Sequence, residues 1–134
     1  MNFVKQVPLI GCVAAVYAIL AFVSADLPAR QLAAVNLPSG AVWAISLGDL
    51  LLLLSVIGLY FEVLKATRTS QASVLDHILS LFSFVGCLVG FLLAASLGTS
   101  TFLVIMVMAL FDVIAGFTIT ISTARRDFAF GDRQ

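Results

Sequence analysis

Thr101–Ser122 reads TFLVIMVMALFDVIAGFTITIS, an apolar run whose single charged residue is Asp112. As an α-helix it would span about 30 Å, the thickness of the hydrocarbon core of a bilayer. Three further runs of this kind precede it, at Val7–Ala25, Ala41–Leu64 and Val74–Leu97. None of the four shows the strict polar–apolar alternation of a barrel strand, and each is about twice a strand's length. The reading is an all-α integral membrane protein, a four-helix bundle with short loops forming one transmembrane domain over residues 1–134, with a tail at 123–134.

Composition agrees. Of the 134 residues, 62% are hydrophobic and only 10% charged, whereas a water-soluble domain carries about 25% charged residues. Net charge is zero and no basic patch exceeds a few residues, so nucleic acid is not an expected partner. Cys12 and Cys87 both fall inside apolar runs with no metal-ligand spacing; they read as small packing residues.

The basic residues set a direction. With four crossings both termini share one side, and Lys5, Lys65, Arg68, Arg125, Arg126 and Arg133 all fall there, against Arg30 alone on the other. The positive-inside rule makes the populated side cytoplasmic. Trp43 then sits near the outer interface and Tyr60 near the inner one. Val23-Ser24-Ala25 would also pass as a signal-peptidase site, but the apolar stretch before it exceeds an h-region of about 7–15 residues, so the first helix is expected to be retained.

The outer connection Asp26–Gly40 holds Pro28, Pro38 and Gly40, and Leu32 and Val35 within 28–35 suggest a short interfacial helix there. Lys65–Ser73 is a polar inner loop. Gly98 is a candidate C-cap of the third helix and Ser100 a candidate N-cap of the fourth. The arginines and phenylalanines after Ser122 suit an anchor at the cytoplasmic headgroups.

Each run offers a stripe of small residues at helical spacing, the means by which helices associate in lipid. The first has Gly11, Ala14, Ala18, Ala21 and Ala25; the second has Ala44, Gly48, Ser55 and Gly58, and then Glu62. The third has Ser80, Ser83, Cys87, Gly90 and Ala94, with Gly86 beside it, and the fourth has Ala109, Asp112, Gly116 and Thr120. Asp112 therefore lies on a packed face, while Asp49 borders one, with Ser46 one turn earlier.

Asp49 and Asp112 are the principal candidates. A carboxylate near the bilayer centre costs about 2.5–3.5 kcal/mol on insertion-based scales and marks a functional site by default. Counted from the outer helix ends, Asp49 is about 12 Å deep and Asp112 about 16 Å, so a shared site is open. With no lysine or arginine in their runs, neutral, protonated carboxyls are the expected state. Three roles compete: proton or cation coupling in transport, interhelical hydrogen-bonding glue, and contact with a partner subunit.

A second group gathers at the inner interface. Ser73-Val74-Leu75-Asp76 fits a capping box. His77, the only histidine, could join Glu62 and Asp76 in a small cytoplasmic-side proton or quinone site. Glu62 and Lys65 are spaced as a surface ion pair. One histidine excludes a bis-histidine haem within one chain, and no metal site or cofactor is expected. No G-x-S-x-G, H-E-x-x-H or Gly-rich phosphate loop occurs, so an enzyme is not expected.

Ser46-Leu47-Gly48-Asp49, Glu62-x-x-Lys65-Ala66-Thr67-Arg68, Asp76-His77, and Phe111-Asp112 with Thr123-Ala124-Arg125-Arg126-Asp127-Phe128 resemble small four-helix inner-membrane proteins of proteobacteria. Over about residues 42–130 the resemblance implies a bacterial inner-membrane location and carries no catalytic role. Small multidrug transporters also have four helices, but their essential carboxylate is in the first helix, where this chain has no charge. The leading expectation is a polytopic accessory or scaffold component of a membrane complex, its partners the bilayer and another membrane protein or a second copy of the chain. The alternative is a proton- or cation-coupled transporter or channel using Asp112 and Asp49.

Overall fold

The computed structural model describes residues 7–67 and 72–131. Among them the order is α1 (Leu9–Val23), β1 (Gln31–Asn36), β2 (Val42–Ser46), α2 (Leu47–Ala66), α3 (Ala72–Leu93), a 3₁₀ turn (Ala95–Leu97) and α4 (Ser100–Gly131). The chain is mostly helical. Three segments, Leu47–Ala66, Val74–Leu93 and Ser100–Arg126, are long and apolar enough to cross a membrane by length and composition; α1, at 15 residues, is shorter.

The outer connection differs from expectation. Residues 28–35 do not form a helix. Turns at Leu27–Arg30 lead into β1, which pairs antiparallel with β2 so that Val35 faces Trp43 and Ala33 faces Ile45. Gly40, at φ +86°, closes the connecting turn after Pro38-Ser39, a conformation that suits glycine. Residues 41–46, assigned to the second helix because they are uncharged, are thus a turn and a strand. Val42, Trp43 and Ile45 are β-branched or aromatic and fit an extended ladder.

The start of α2 explains the boundary. Ser46 is its N-cap, and Asp49 is the third helical residue, the two forming a reciprocal capping box. Further N–H groups of the first turn are taken by the preceding chain: Leu47 N–H donates to Arg30 C=O (3.1 Å) and Gly48 N–H to Pro28 C=O (2.7 Å). These four groups close the helix end, which would otherwise leave free donors.

The other boundaries also shift. Helix α3 stops at Leu93, and Gly98 terminates the short 3₁₀ turn instead of α3. Thr99, not Ser100, caps α4, its Oγ1 accepting the N–H of Phe102 at 3.2 Å. Helix α4 continues through the expected tail as far as Gly131, giving 32 residues, about 48 Å. The inner loop at 68–71 lies outside the described residues.

The helices pack through their small residues. The start of α1 meets the second half of α2, where Leu9 and Ile10 lie against Gly58, while Gly48 at the start of α2 lies against Thr101 of α4. Gly11 of α1 touches Ser83 of α3. Gly86 has nothing against it, so that member of the G-x-x-x-G pair is not part of an internal contact. Ile10, Tyr17, Phe102 and Ile105 are fully buried; Tyr17 packs on Phe102 and shares a 2.6 Å hydrogen bond with Thr99. Cys87 is buried and Cys12 exposed, both free. Outward faces carry Ile19, Phe22, Leu53, Phe82, Leu92 and Phe111, all exposed, an apolar exterior far beyond what a soluble domain presents.

Candidate functional site: a buried polar centre

Asp49 and Asp112 do not meet. Asp49 Oδ2 accepts from the Ser46 N–H and the Ser46 hydroxyl, both at 2.8 Å, and the Asp49 N–H donates to Ser46 Oγ at 3.1 Å. Asp49 and Ser46 are therefore both consumed in capping α2, and Asp49 is in the first turn of its helix instead of deep within a run. The residues of α2 that approach Asp112 are Glu62 and Lys65; thirteen residues, about 20 Å of helix, separate Asp49 from Glu62.

Asp112 instead joins the inner group. Glu62, Lys65 and Ala66 of α2, Asp76, His77 and Ser80 of α3, and Asp112 of α4 line one cavity of ≈ 10 Å³, about the room one water molecule needs. Asp112 is 6% exposed, Glu62 5% and His77 6%, so their environment is set by one another. Asp112 is hydrogen-bonded to Ser80, with His77, Lys65 and Asp76 in electrostatic reach.

Every helix contributes. Glu62 Oε1 accepts the backbone N–H of Leu9 at 2.7 Å, a donor that α1 leaves free in its first turn. Lys65 Nζ lies 3.8 Å from Glu62 Oε2 and 3.4 Å from Asp76 Oδ2, bridging α2 and α3. The Glu62–Lys65 pair expected from spacing is present, but its carboxylate is buried. Asp76 is committed to Lys65, and its Oδ1 is buried without a hydrogen-bond partner in the protein. The side chain of Ser73, its expected capping partner, lies outside the described residues, and α3 already runs from Ala72.

His77 ties α3 to α4. Its Nε2 is 2.8 Å from Thr120 Oγ1, and the Thr120 hydroxyl lies 2.9 Å from the Gly116 carbonyl. The imidazole lies against Gly116 so closely that any Cβ there would collide with the ring. Phe117 flanks it, with ring centroids 5.8 Å apart. Asp112, Gly116 and Thr120 succeed one another at four-residue spacing and so present one face to α3.

Chemically the centre holds three carboxyls against one lysine. If Glu62, Asp76 and Asp112 were all ionised with His77 neutral, two negative charges would lack a counter-ion in a poorly solvated site, a costly state that proton uptake relieves. Among the described residues no three His, Cys, Asp or Glu side chains are grouped to hold a metal ion.

The sequence separated what the structure unites because the helix starts were misplaced. Counted from Leu47 and Ser100, Glu62 and Asp112 lie about 22 Å and 18 Å along their helices, nearly level. Counting from residue 41 puts Glu62 about 9 Å too deep. Ser80 and Thr120 were visible as seam residues, and Ser80, three after His77 and four after Asp76, shares their face. Nothing in the sequence marks the Leu9 N–H. A search of protein-family models, curated proteins and solved structures finds no significant match to the chain.

Proposed function

We propose that the chain is a polytopic protein of the bacterial inner membrane, a four-helix bundle with both termini cytoplasmic, that serves as an accessory or scaffold component of a membrane complex. The apolar exterior, the three long apolar helices and the asymmetry of Lys and Arg support the location and direction. In this orientation the polar centre opens toward the cytoplasmic end and holds the four helices in register.

One observation favours an accessory role over transport: the centre's cavity has room for about one water, and the side chains of the core cluster, among them Ile10, Tyr17, Leu51, Phe102 and Ile105, are buried and all but Tyr17 apolar. A carrier needs a site that both sides reach in turn. The alternative reading, proton-coupled transport, draws on the excess of carboxyls over cations and rests on Asp112 with Glu62 and Asp76, no longer on Asp49.

Proteoliposomes loaded with a pH-sensitive dye separate the two. An accessory component leaves the decay of an imposed pH gradient at the rate of empty vesicles, and co-purifies in fixed stoichiometry with one membrane protein in two unrelated mild detergents. Gradient decay that Asp112→Asn abolishes would overturn the accessory reading.

A further inference from the structure

We infer that the polar centre binds one internal water molecule, which donates hydrogen bonds to Asp76 Oδ1 and to the Asp112 carboxyl, accepts one from Lys65, and so joins α2, α3 and α4. The reason begins at Asp76. Its Oδ2 lies 3.4 Å from Lys65 Nζ, whereas its Oδ1 is shut off from solvent and has no hydrogen-bond partner in the protein. A buried polar atom left in that condition is costly, and internal water is what commonly serves such atoms in native proteins. As a carboxylate oxygen paired with lysine, Oδ1 can only accept, so its partner must bring a hydrogen.

The place for that partner is the cavity of ≈ 10 Å³ that Asp76 lines together with Lys65, Ser80 and Asp112. Its volume is close to that of a single water probe and too small for an organic ligand. A buried water needs about two to four polar partners, and these walls supply them with the right signs. Lys65 Nζ carries about three hydrogens and serves two carboxylates, which leaves a hydrogen for a water oxygen to accept. Asp112 is hydrogen-bonded to Ser80, and a carboxyl has more lone pairs than that contact uses. Two carboxylates on neighbouring helices cannot hydrogen-bond to each other, because both only accept; a water between them donates to each. A bare cation would fit the volume but not the walls, since among the described residues no three His, Cys, Asp or Glu side chains are grouped to hold one.

Crystals of the whole chain grown from a lipidic phase, at a resolution that shows ordered water, test the site. One peak is expected in the cavity, about 2.5–3.0 Å from both Asp76 Oδ1 and an Asp112 oxygen and about 2.7–3.2 Å from Lys65 Nζ. Asp76→Leu, close in size but without an acceptor, should lose the peak, while Asp76→Asn, which keeps a polar group at that place, should retain it. A cavity with no peak, an Oδ1 bonded directly to a protein donor, or a peak that persists in Asp76→Leu overturns the inference. So does anomalous scattering at the peak after a rubidium soak, which would make the occupant an alkali cation. If Asp76→Leu does not fold, the wild-type map decides alone. These outcomes do not depend on partner capture or gradient decay, so the water site and the accessory role fail separately.

Discussion

Lys65→Met is the most informative single change to the polar centre. The ammonium is the only fixed cation of the site and serves two carboxylates at once, at 3.8 Å and 3.4 Å. At an effective dielectric constant of about 20, each contact corresponds to roughly 4–5 kcal/mol of Coulomb attraction. Most of this is offset by desolvation, and the lysine side chain is 30% exposed, so water and counter-ions screen it. Removing one partner of a fully buried pair costs about 3–5 kcal/mol; halving that for the exposed lysine gives about 1.5–2.5 kcal/mol. Methionine keeps the length and apolar stem, so the loss is electrostatic. Glu62 and Asp76 are left as carboxylates without their counter-ion. Thermal unfolding in a mild detergent should therefore show the variant destabilised by several degrees at about pH 8. Glu62→Gln combined with Asp76→Asn should restore most of the loss at high pH, since the repelling charges are gone. A loss that this double substitution fails to restore would refute the electrostatic account, and no loss at all would mean that Lys65 does not hold α2 to α3.

Three other outcomes follow from separate parts of the molecule. Gly116→Ala should drive the His77 ring out of its seat and destabilise the chain by about 1–3 kcal/mol, and His77→Ala in the same chain should recover part of it, read by thermal unfolding; full additivity would deny the contact. Ser46→Ala should cost about 1 kcal/mol by opening the α2 cap, and this loss should add to that of Asp112→Asn; a clear departure from additivity would join the two aspartates after all. Trp43 is the only tryptophan and sits half-exposed on an uncharged hairpin. In nanodiscs its fluorescence should be quenched most by lipids brominated near the headgroup, while quenching by aqueous iodide alone would place the hairpin in water.

The sequence carried the helices well and their ends poorly, for a physical reason. Hydropathy is a property of runs, and it registers the apolar core of a helix without registering where the backbone turns. Val42-Trp43-Ala44-Ile45 is as apolar as the helix it adjoins, so it was absorbed into that helix, although β-branched and aromatic residues equally suit a strand. The information that ends the run is in Ser46-Leu47-Gly48-Asp49, a capping box. Apolar neighbours alone would give that aspartate a membrane depth. Once its oxygens are spent on Ser46, Asp49 needs no partner across the helices. At the other end Thr123-Ala124-Arg125-Arg126 was treated as tail because it is polar, yet alanine and arginine are good helix formers and α4 runs through them.

The same distinction explains how a chain this apolar accommodates five titratable side chains in one place. Glu62 is one turn from the end of α2, and Asp76 and His77 lie near the start of α3, so the centre is close to the helix ends instead of midway between them. A charged group there costs far less than at the middle of a bilayer, because a long side chain can reach the interface. Lys65 has that reach: its side chain is 30% exposed while the carboxylates it serves are 6% and 15% exposed, so it draws solvent screening to one edge of an otherwise enclosed cluster. Asp112 is the member farthest from such relief, placed twelve residues into α4 beneath Ala109 and Ile105. Its hydrogen bond to Ser80 and its closeness to His77 are therefore what make it tolerable; α3 supplies both partners, and Gly116 and Thr120 of α4 seat the imidazole. Glycine between the two polar residues lets the imidazole approach the α4 backbone, so the small-residue seam that packs these helices also forms the seat of the ring that ties α3 to α4.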